Sequence, residues 1–293
     1  MTNTTTFWKN GQIVSAQEAT VSVLDHGLLY GDGVFEGVRY YNLHPFSLGK
    51  HIERLRASLT AIGIDLAYSD ESLIAGVQTC ITASGQEDGY LRILVTRGEG
   101  LMGVSPVSCN NPNIFIIAST IQLVSEASRK KGLSLITSSL RRVTGAGVDP
   151  RIKSLNYLPA VMAKAEALRL GADEALILNQ QGQVAECSVE NIFIVKSGVL
   201  YTPPVADGLL AGITRETIIG AAHSLSIAVR EESFFPYDLH NADECFITGT
   251  GAGLLPIREL DGKCLKHCPG VIFNQLYEKY LTIVGAHCQV ESV

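Results

Sequence analysis

The sequence is poor in the features that mark nucleic-acid-binding, membrane-spanning and secreted proteins. Its 293 residues carry 23 basic and 29 acidic side chains, for a net charge of −6, and contain no run of Lys and Arg longer than three residues. A chain without a basic patch lacks the electrostatic footprint of nucleic-acid binding. No apolar run is long enough to cross a bilayer, and the polar N-terminus lacks the apolar core of a signal peptide. We therefore expect no nucleic-acid partner and no membrane association.

Cysteine is present, but without the pattern of a disulfide framework. The seven cysteines are odd in number and scattered along the chain, which favours reduced thiols and a cytoplasmic protein. Cys264, His267 and Cys268 lie close together in the sequence, but only His287 or Cys288 could add a further ligand nearby. We therefore predict no metal site.

Charged residues make up only 18% of the chain and hydrophobic residues 46%. A sizeable core is therefore predicted, and disorder is not. The length suits one large or two modest domains. We predict an α+β protein with a small N-terminal α/β domain at 1–118, an interdomain linker at 119–131 and a larger, strand-rich C-terminal domain at 132–293.

The first predicted domain alternates strands with two helices. A hairpin is predicted at 7–14, because Asn10-Gly11 favours a turn with positive φ at both residues. In the second of the two helices, the apolar spacing predicts a core side made of Leu73, Ile74, Val77 and Ile81. The other predicted elements are strands at 34–41, 90–97 and 114–118 and helices at 50–62 and 70–84.

The second predicted domain begins with a strand at 133–143 and has helices near 156–170, 213–225 and 270–284. In the first of these helices, Asn156 is a candidate N-cap, and Pro159 falls in the first turn, where no N–H is needed. The helical spacing also gives this helix one apolar side, made of Leu158, Val161, Met162, Ala165 and Leu168.

Lys153 lies between that strand and that helix, at a junction where side chains can face a cavity. A lysine held in an apolar pocket loses proton affinity and becomes a nucleophilic amine. Such an amine can form a Schiff base with an aldehyde cofactor. Lys153 is therefore our candidate catalytic residue.

The segment KSLNY at 153–157 resembles the lysine motif of the class IV aminotransferases, which are fold-type IV pyridoxal-phosphate enzymes. Five more blocks agree with that family, in its order, and the resemblance covers nearly the full chain. They are DHGLLYGDGVFEGVR at 25–39, YLR at 90–92, ECSVEN at 186–191, GITR at 212–215 and TGTG at 248–251.

The resemblance implies pyridoxal 5′-phosphate as the cofactor, held by Lys153 as a Schiff base. Glu186 is expected to pair with the pyridine nitrogen, since a nearby carboxylate keeps that nitrogen protonated. A guanidinium fork and a helix N-terminus both suit a phosphate dianion. The implied cofactor-binding residues are Arg54, Lys153, Tyr157, Glu186, Leu210, Ile213, Thr214 and Thr250.

The resemblance also implies a substrate pocket. Strand alternation puts Tyr90 and Arg92 on one face, where a phenol and a guanidinium form a natural clamp for an α-carboxylate; Arg97 falls on the opposite face by the same parity. Which of the two arginines binds the carboxylate stays open. The implied substrate-binding residues are Tyr30, Phe35, Arg39, Tyr90, Arg92, Thr250 and Gly251.

The resemblance implies ping-pong amino transfer from branched-chain L-amino acids to 2-oxoglutarate, in a homodimer or higher homo-oligomer in which Tyr30 is supplied across the interface. Two alternatives within the family are a D-amino-acid transaminase, which relies on an arginine near Arg97, and an aminodeoxychorismate lyase, which shares DEAL at 173–176. A non-catalytic binding protein on the same fold is a third alternative, and the presence of both Lys153 and Glu186 argues against it.

Overall fold

The computed structural model describes residues 5–120, 126–142 and 147–289. Within them, the chain divides into two compact units. The first unit contains residues 5–120, Ile152–Asn156 and 284–289, and the second contains 126–142, 147–151 and 157–283. The α+β class is confirmed, because both units combine helices with sheets. Residues 121–125 of the predicted linker and Val143 of the predicted strand lie outside the described residues, and the domain boundaries at 118 and 132 stay predictions.

The first unit is built on a six-stranded sheet in the order β2-β1-β6-β5-β3-β4, with antiparallel neighbours throughout. A 3₁₀ turn at Pro106–Ser108 lies between β5 and β6. The elements are β1 (Thr6–Lys9), β2 (Gln12–Val14), α1 (His26–Tyr30), β3 (Gly33–Tyr41), β4 (His44–Pro45), α2 (Leu48–Ile62), α3 (Asp70–Ser84), β5 (Gly89–Thr96) and β6 (Asn113–Ser119).

Local signals predicted much of this unit correctly. The hairpin turn is confirmed, with φ of 47° at Asn10 and 103° at Gly11. Helix α3 has the predicted bounds, but the prediction of Ile74 as a core residue is wrong, because its side chain is 46% exposed. Gly76 of this helix lies against Trp8, so the buried side of the helix includes Gly76 and not Ile74.

The segment Ile152–Asn156, expected within the second domain, belongs to the first unit. Phe35 N donates to Lys153 O at 2.9 Å, and Leu155 N donates to Gly33 O at 3.0 Å. These main-chain bonds hold the segment along the start of β3. Lys153 is therefore attached to a strand that lies more than a hundred residues earlier in the chain.

The second unit is built on a nine-stranded sheet in the order β12-β11-β10-β13-β14-β7-β8-β9, with β15 paired to β14. A 3₁₀ turn lies at Val205–Asp207, and the last helix of the chain is α8 (Val271–Gln289). The strands are β7 (Leu133–Arg142), β8 (Glu174–Asn179), β9 (Val184–Cys187), β10 (Asn191–Lys196), β11 (Val199–Thr202), β12 (Val229–Glu231), β13 (Glu244–Gly249), β14 (Gly253–Leu260) and β15 (Lys263–Cys264). The other helices are α4 (Glu126–Lys131), α5 (Leu158–Arg169), α6 (Ile213–Ser224) and α7 (Pro236–His240).

Helix α5 differs from what its sequence pattern suggests. The prediction of Asn156 as its N-cap is wrong: the N-cap is Tyr157, and Asn156 Nδ2 donates to Gly31 O at 3.0 Å. An apolar stripe at helical spacing is typically the buried side of a helix, yet here the buried side consists of three alanines. These are Ala160, Ala163 and Ala167. The predicted apolar side is exposed, and its four large members are 51–68% accessible.

Among the described residues, none of the helices has the length and apolar character needed to span a bilayer.

Candidate active site

The main chain of Lys153 is hydrogen-bonded at both its carbonyl oxygen and its N–H. Its carbonyl oxygen accepts from Phe35 N on β3, and its own N–H donates to Ser58 Oγ on α2 at 3.2 Å. Its Nζ lies 4.5 Å from the centre of the Phe35 ring. A side chain anchored in this way has a defined direction, which a catalytic amine requires.

The Phe35 ring also contacts Arg92, whose Cζ lies 4.3 Å from the ring centre. Arg92 Nη2 lies 3.5 Å from the Tyr90 hydroxyl, which it can donate to. The register of β3 with β5 pairs Gly37 with Arg92, and a Cβ at Gly37 would overlap the Tyr90 hydroxyl. The structure therefore brings Lys153, Phe35, Tyr90 and Arg92 together, and a glycine at 37 makes room for the phenol.

Two other predicted substrate residues have contacts of their own. Arg39 is buried, pairs with Tyr90 in the strand register and stacks on Tyr41 at 4.8 Å. Tyr30 is partly exposed, and its hydroxyl accepts from Gly103 N at 2.7 Å. Both residues are thus placed by the first unit, Arg39 within the sheet and Tyr30 against a loop.

Arg54, the predicted phosphate ligand, forms a side-on ion pair with a carboxylate that sequence reasoning missed. Its Nε and Nη2 donate to Glu36 Oε1 and Oε2 at 2.7 and 2.9 Å, and His51 Nδ1 lies 2.7 Å from Oε2. Burial alone would raise the pKa of Glu36, but hydrogen bonds from Arg54 and His51 lower it to about 2. Burial lowers the pKa of His51. The neutral imidazole therefore donates to an ionised carboxylate.

Arg97 has a structural set of contacts. Its Nε and Nη2 donate to the Asp32 carboxylate at 2.5 and 3.0 Å. Its guanidinium also donates to the carbonyl oxygens of Ile62 and Gly63, at the C-terminal end of α2. This arginine links two backbone segments, whereas Arg92 contacts the Phe35 ring, which Lys153 also contacts. The geometry favours Arg92 as the arginine for a substrate carboxylate.

In the second unit, Glu186 is buried at the end of β9 and receives several hydrogen bonds. Arg142 Nη2 donates to Oε1 at 2.5 Å, Leu210 N donates to Oε2 at 3.1 Å, and Asn191 Nδ2 lies 3.5 Å from Oε2. Asn191 Nδ2 also donates to Leu210 O at 2.9 Å. Sequence reasoning did not assign a role to Arg142 or Asn191, although Asn191 closes the ECSVEN block.

The N-terminus of α6 lies next to this carboxylate network. Its N-cap is Gly212, which supplies no side-chain cap and at which a Cβ would overlap Asn191 Oδ1. Ile213 and Thr214 follow as buried first-turn residues. Arg215 holds the helix start by donating to Pro203 O at 2.8 Å. First-turn amides lack intrahelical acceptors, so this end of α6 can bind an anion.

Three further predicted residues of the second unit lie just outside its strands and helices. Thr250 and Gly251 form the turn between β13 and β14, just after Thr248, which pairs with Asn191 in the strand register. Thr248 Oγ1 is buried and has no hydrogen-bond partner among the described residues. Tyr157 is half-buried at the N-cap of α5.

The sequence pattern that defines the family "Amino-transferase class IV" matches residues 33–260. The chain belongs to the class IV aminotransferases. This aminotransferase is 44% identical to a protein from Methanocaldococcus jannaschii described as a putative branched-chain-amino-acid aminotransferase, over 94% of each chain. Its sequence blocks and its fold thus agree with the predicted family.

Solved structures confirm fold type IV for this aminotransferase. The branched-chain amino acid aminotransferase of Escherichia coli superimposes with a TM-score of 0.92 at 31% identity, covering 98% of this chain and 97% of that one. The T.th. branched-chain amino acid aminotransferase, solved with N-(5′-phosphopyridoxyl)-L-glutamate, gives a TM-score of 0.91 at 34% identity, covering 96% and 94%.

Each unit of the aminotransferase carries groups that suit pyridoxal phosphate. In the second unit, the first-turn amides of α6 lack a side-chain cap, and they suit a phosphate. The buried Glu186 carboxylate suits a protonated ring nitrogen. In the first unit, Lys153 carries an amine that suits the aldehyde, and Arg54 carries a guanidinium that suits the phosphate. The donor set therefore fits the cofactor on chemical grounds.

Proposed function

We propose that this aminotransferase transfers the amino group of branched-chain L-amino acids to 2-oxoglutarate in a ping-pong reaction, with pyridoxal 5′-phosphate as its cofactor. The observation that carries the proposal is the shared ring of Phe35, which contacts both the Lys153 amine and the Arg92 guanidinium. An amine that moves a proton and a cation that binds a carboxylate thus flank one apolar surface. The branched-chain names of its relatives support the choice of substrate.

Pyridoxal phosphate supplies an aldehyde that takes up the amino group and a pyridinium ring that draws electrons from the substrate Cα. Lys153 Nζ accepts the Cα proton and returns it. Glu186, braced by Arg142, would accept from the ring N–H of the bound cofactor and keep that nitrogen protonated. Leu210 N–H holds the Glu186 carboxylate in place, and Tyr157 would hold the 3-oxygen of the bound cofactor.

The phosphate is assigned to four residues: the Arg54 guanidinium, the amides of Ile213 and Thr214, and Thr250. These donors combine charge, a helix N-terminus and a hydroxyl, which are the usual means of binding a phosphate. The same assignment explains why the N-cap of α6 is a glycine without a capping side chain. A capping side chain would compete with the phosphate for the first-turn amides.

The substrate carboxylate is assigned to Arg92 and Tyr90, with Thr250 and Gly251 supplying donors from the β13–β14 turn. Burial raises the pKa of Tyr90, so its phenol stays protonated and can donate. Phe35, Tyr30 and Arg39 complete the substrate-binding set. The D-amino-acid and lyase alternatives are not favoured, because the compared relatives carry branched-chain names and Arg97 is bonded to Asp32 and to α2.

We further propose that the enzyme acts as a homodimer in the cytoplasm. A second copy would cover the exposed apolar side of α5, which otherwise faces water. In the first unit, Leu101, Met102, Val104 and Val107 are also highly exposed near Tyr30. The seven cysteines all lie among the described residues, and none of them forms a disulfide, which suits a reducing compartment.

A panel of amino donors tests the substrate assignment. Purified holoenzyme is mixed with L-valine, L-leucine, D-alanine or aminodeoxychorismate. The loss of the absorbance band of the lysine-bound cofactor is then followed in single half-reactions. L-valine and L-leucine should react fastest, and 2-oxoglutarate should restore the starting spectrum. A faster reaction with D-alanine would contradict the L-amino-acid assignment and favour a D-amino-acid transaminase. Release of pyruvate from aminodeoxychorismate would contradict amino transfer and favour a lyase.

A further inference from the structure

One side of α2 is polar where it meets β3 and the lysine segment. His51, Arg54 and Ser58 recur at spacings of three and four residues, so they lie on one stripe of the helix. His51 and Arg54 both bind Glu36, and Ser58 accepts from the main chain of Lys153. Helix α2 thus carries the predicted phosphate arginine and also holds the main chain of the catalytic lysine.

Glu36 is the centre of this arrangement. It points from β3 towards the core together with Val38 and Tyr40, and its side chain is fully buried. A buried carboxylate is costly unless charged or polar groups satisfy it. Arg54 engages both of its oxygens, and His51 engages Oε2. The two-point contact with Arg54 fixes the plane of the guanidinium, which a single bond would leave free to rotate.

We propose that Glu36 is a positioning residue for the cofactor phosphate: it holds Arg54 side-on in the orientation that binds the phosphate, and His51 braces Glu36 from the other side. This inference rests on the proposed function, in which Arg54 is a phosphate ligand. It adds a residue pair that touches neither phosphate nor substrate. Ser58 acts in parallel, because it holds the main chain of Lys153 from the same helix.

The charge of Glu36 and its effect on the orientation of Arg54 predict opposite changes in phosphate affinity when Glu36 is neutralised. Glu36 offsets the positive charge of Arg54, so a purely electrostatic view expects tighter phosphate binding when Glu36 loses its charge. If Glu36 orients Arg54, the same change weakens phosphate binding, because the guanidinium loses its fixed plane. The sign of the change in phosphate affinity therefore separates the two roles.

A merely structural role is also separable, because it would affect phosphorylated and unphosphorylated cofactor alike. The apoenzyme is titrated with pyridoxal phosphate and with pyridoxal, and the ratio of the two dissociation constants gives the contribution of the phosphate. The variants are Glu36→Gln, Arg54→Ala and the two combined. Thermal unfolding of each apoenzyme shows which variants are folded at the temperature of titration.

Arg54→Ala should lower the preference for pyridoxal phosphate over pyridoxal by about tenfold or more, the usual size of a charge-assisted contact. Glu36→Gln should lower the preference by roughly five- to tenfold, while pyridoxal itself binds nearly as in the parent. In the Arg54→Ala background, Glu36→Gln should change the ratio no further, because the positioned group is gone.

A matched control is Glu174→Gln, which removes another buried carboxylate with a cationic partner, Lys164 at 2.7 Å. It should leave the ratio unchanged. If Glu36→Gln is too unstable to titrate, His51→Gln removes only the brace and should lower the ratio in the same direction by a smaller factor.

An unchanged or raised ratio in folded Glu36→Gln overturns the positioning role while leaving Arg54 as a ligand. An unchanged ratio in Arg54→Ala instead overturns the assignment of Arg54 within the proposed function, and the inference falls with it. A drop of equal size for pyridoxal and pyridoxal phosphate in Glu36→Gln shows a structural role and also overturns the inference.

Discussion

Arg142 Nη2 donates to Glu186 Oε1 at 2.5 Å, although the two residues come from different strands, β7 and β9. The bond places a guanidinium against a buried carboxylate beside the first turn of α6. A charged Glu186 is what a protonated pyridine nitrogen needs as a partner. Through this pair, the fold of the second unit fixes the position of a carboxylate that suits the ring nitrogen of the cofactor.

Glu186→Gln should keep the cofactor bound but slow Cα deprotonation far more than it weakens binding. An amide cannot hold the ring proton by charge, so the ring draws electrons less strongly. Stopped-flow measurement of the half-reaction with L-valine separates the two effects. Arg142→Lys is the milder comparison, since it retains a cation next to Glu186. A deprotonation rate equal to the parent's in Glu186→Gln would show that Glu186 is merely structural.

Lys153→Ala should bind pyridoxal phosphate without a covalent bond and lose transamination, since the amine that moves the Cα proton is missing. Borohydride reduction of the parent holoenzyme followed by peptide mapping should place the pyridoxyl group on Lys153. The control is Lys164→Ala, because Lys164 is bonded to Glu174 and to Asp173 O in the second unit. A pyridoxyl group found on Lys164 would contradict the assignment.

Arg92→Ala should lower kcat/KM for L-valine by about ten- to hundredfold, which corresponds to ~1.5–3 kcal/mol for a charge-assisted contact. The reason is that Arg92 contacts both Tyr90 and the Phe35 ring, which Lys153 also contacts. Steady-state kinetics with L-valine and D-alanine is the measurement.

Arg97→Ala is the matched change for the carboxylate assignment. It should lower the melting temperature, because it removes the bonds to Asp32, Ile62 and Gly63. Its kcat/KM should fall less than that of Arg92→Ala when both are measured well below the melting transition. If Arg97→Ala is the more damaging change for activity and D-alanine is the better donor, the carboxylate belongs to Arg97.

The pKa of Glu36 predicts an acid-sensitive contribution to stability. Its folded pKa, about 2, lies below the ordinary value of 4.5. The contribution is therefore fully present above about pH 4.5 and is lost as the pH falls towards 2. Its size is on the order of 3 kcal/mol. Urea unfolding between pH 5 and pH 2.5 should show a shallower pH slope for Glu36→Gln than for the parent, and equal slopes would refute this prediction.

Val161→Glu should weaken the homodimer, because it places a charge in the exposed apolar side of α5. Sedimentation velocity over a range of concentrations should show more monomer than for the parent. The control is Tyr237→Glu, since Tyr237 is also exposed but belongs to a different helix, α7. A parent that is monomeric at every concentration would contradict the proposed dimer.

The sequence by itself was sufficient for features that depend on neighbouring residues. The turn at Asn10-Gly11 needs positive φ, and the bounds of α3 follow from a cap at Ser69 and a glycine at 85. The face shared by Tyr90 and Arg92 follows from the period of a strand, and the register with β3 agrees with it. The motif blocks were sufficient for the family, since each keeps its residues close together in the chain.

Only the tertiary structure decided which faces and partners are used. Periodicity marked an apolar side of α5, but the close approach of small alanines to the sheet buried the opposite side. Glu36 with Arg54, and Arg142 with Glu186, are ion pairs between distant positions that no local pattern records. A buried carboxylate is costly without a partner, so a stable fold must bring a cation to it from elsewhere in the chain.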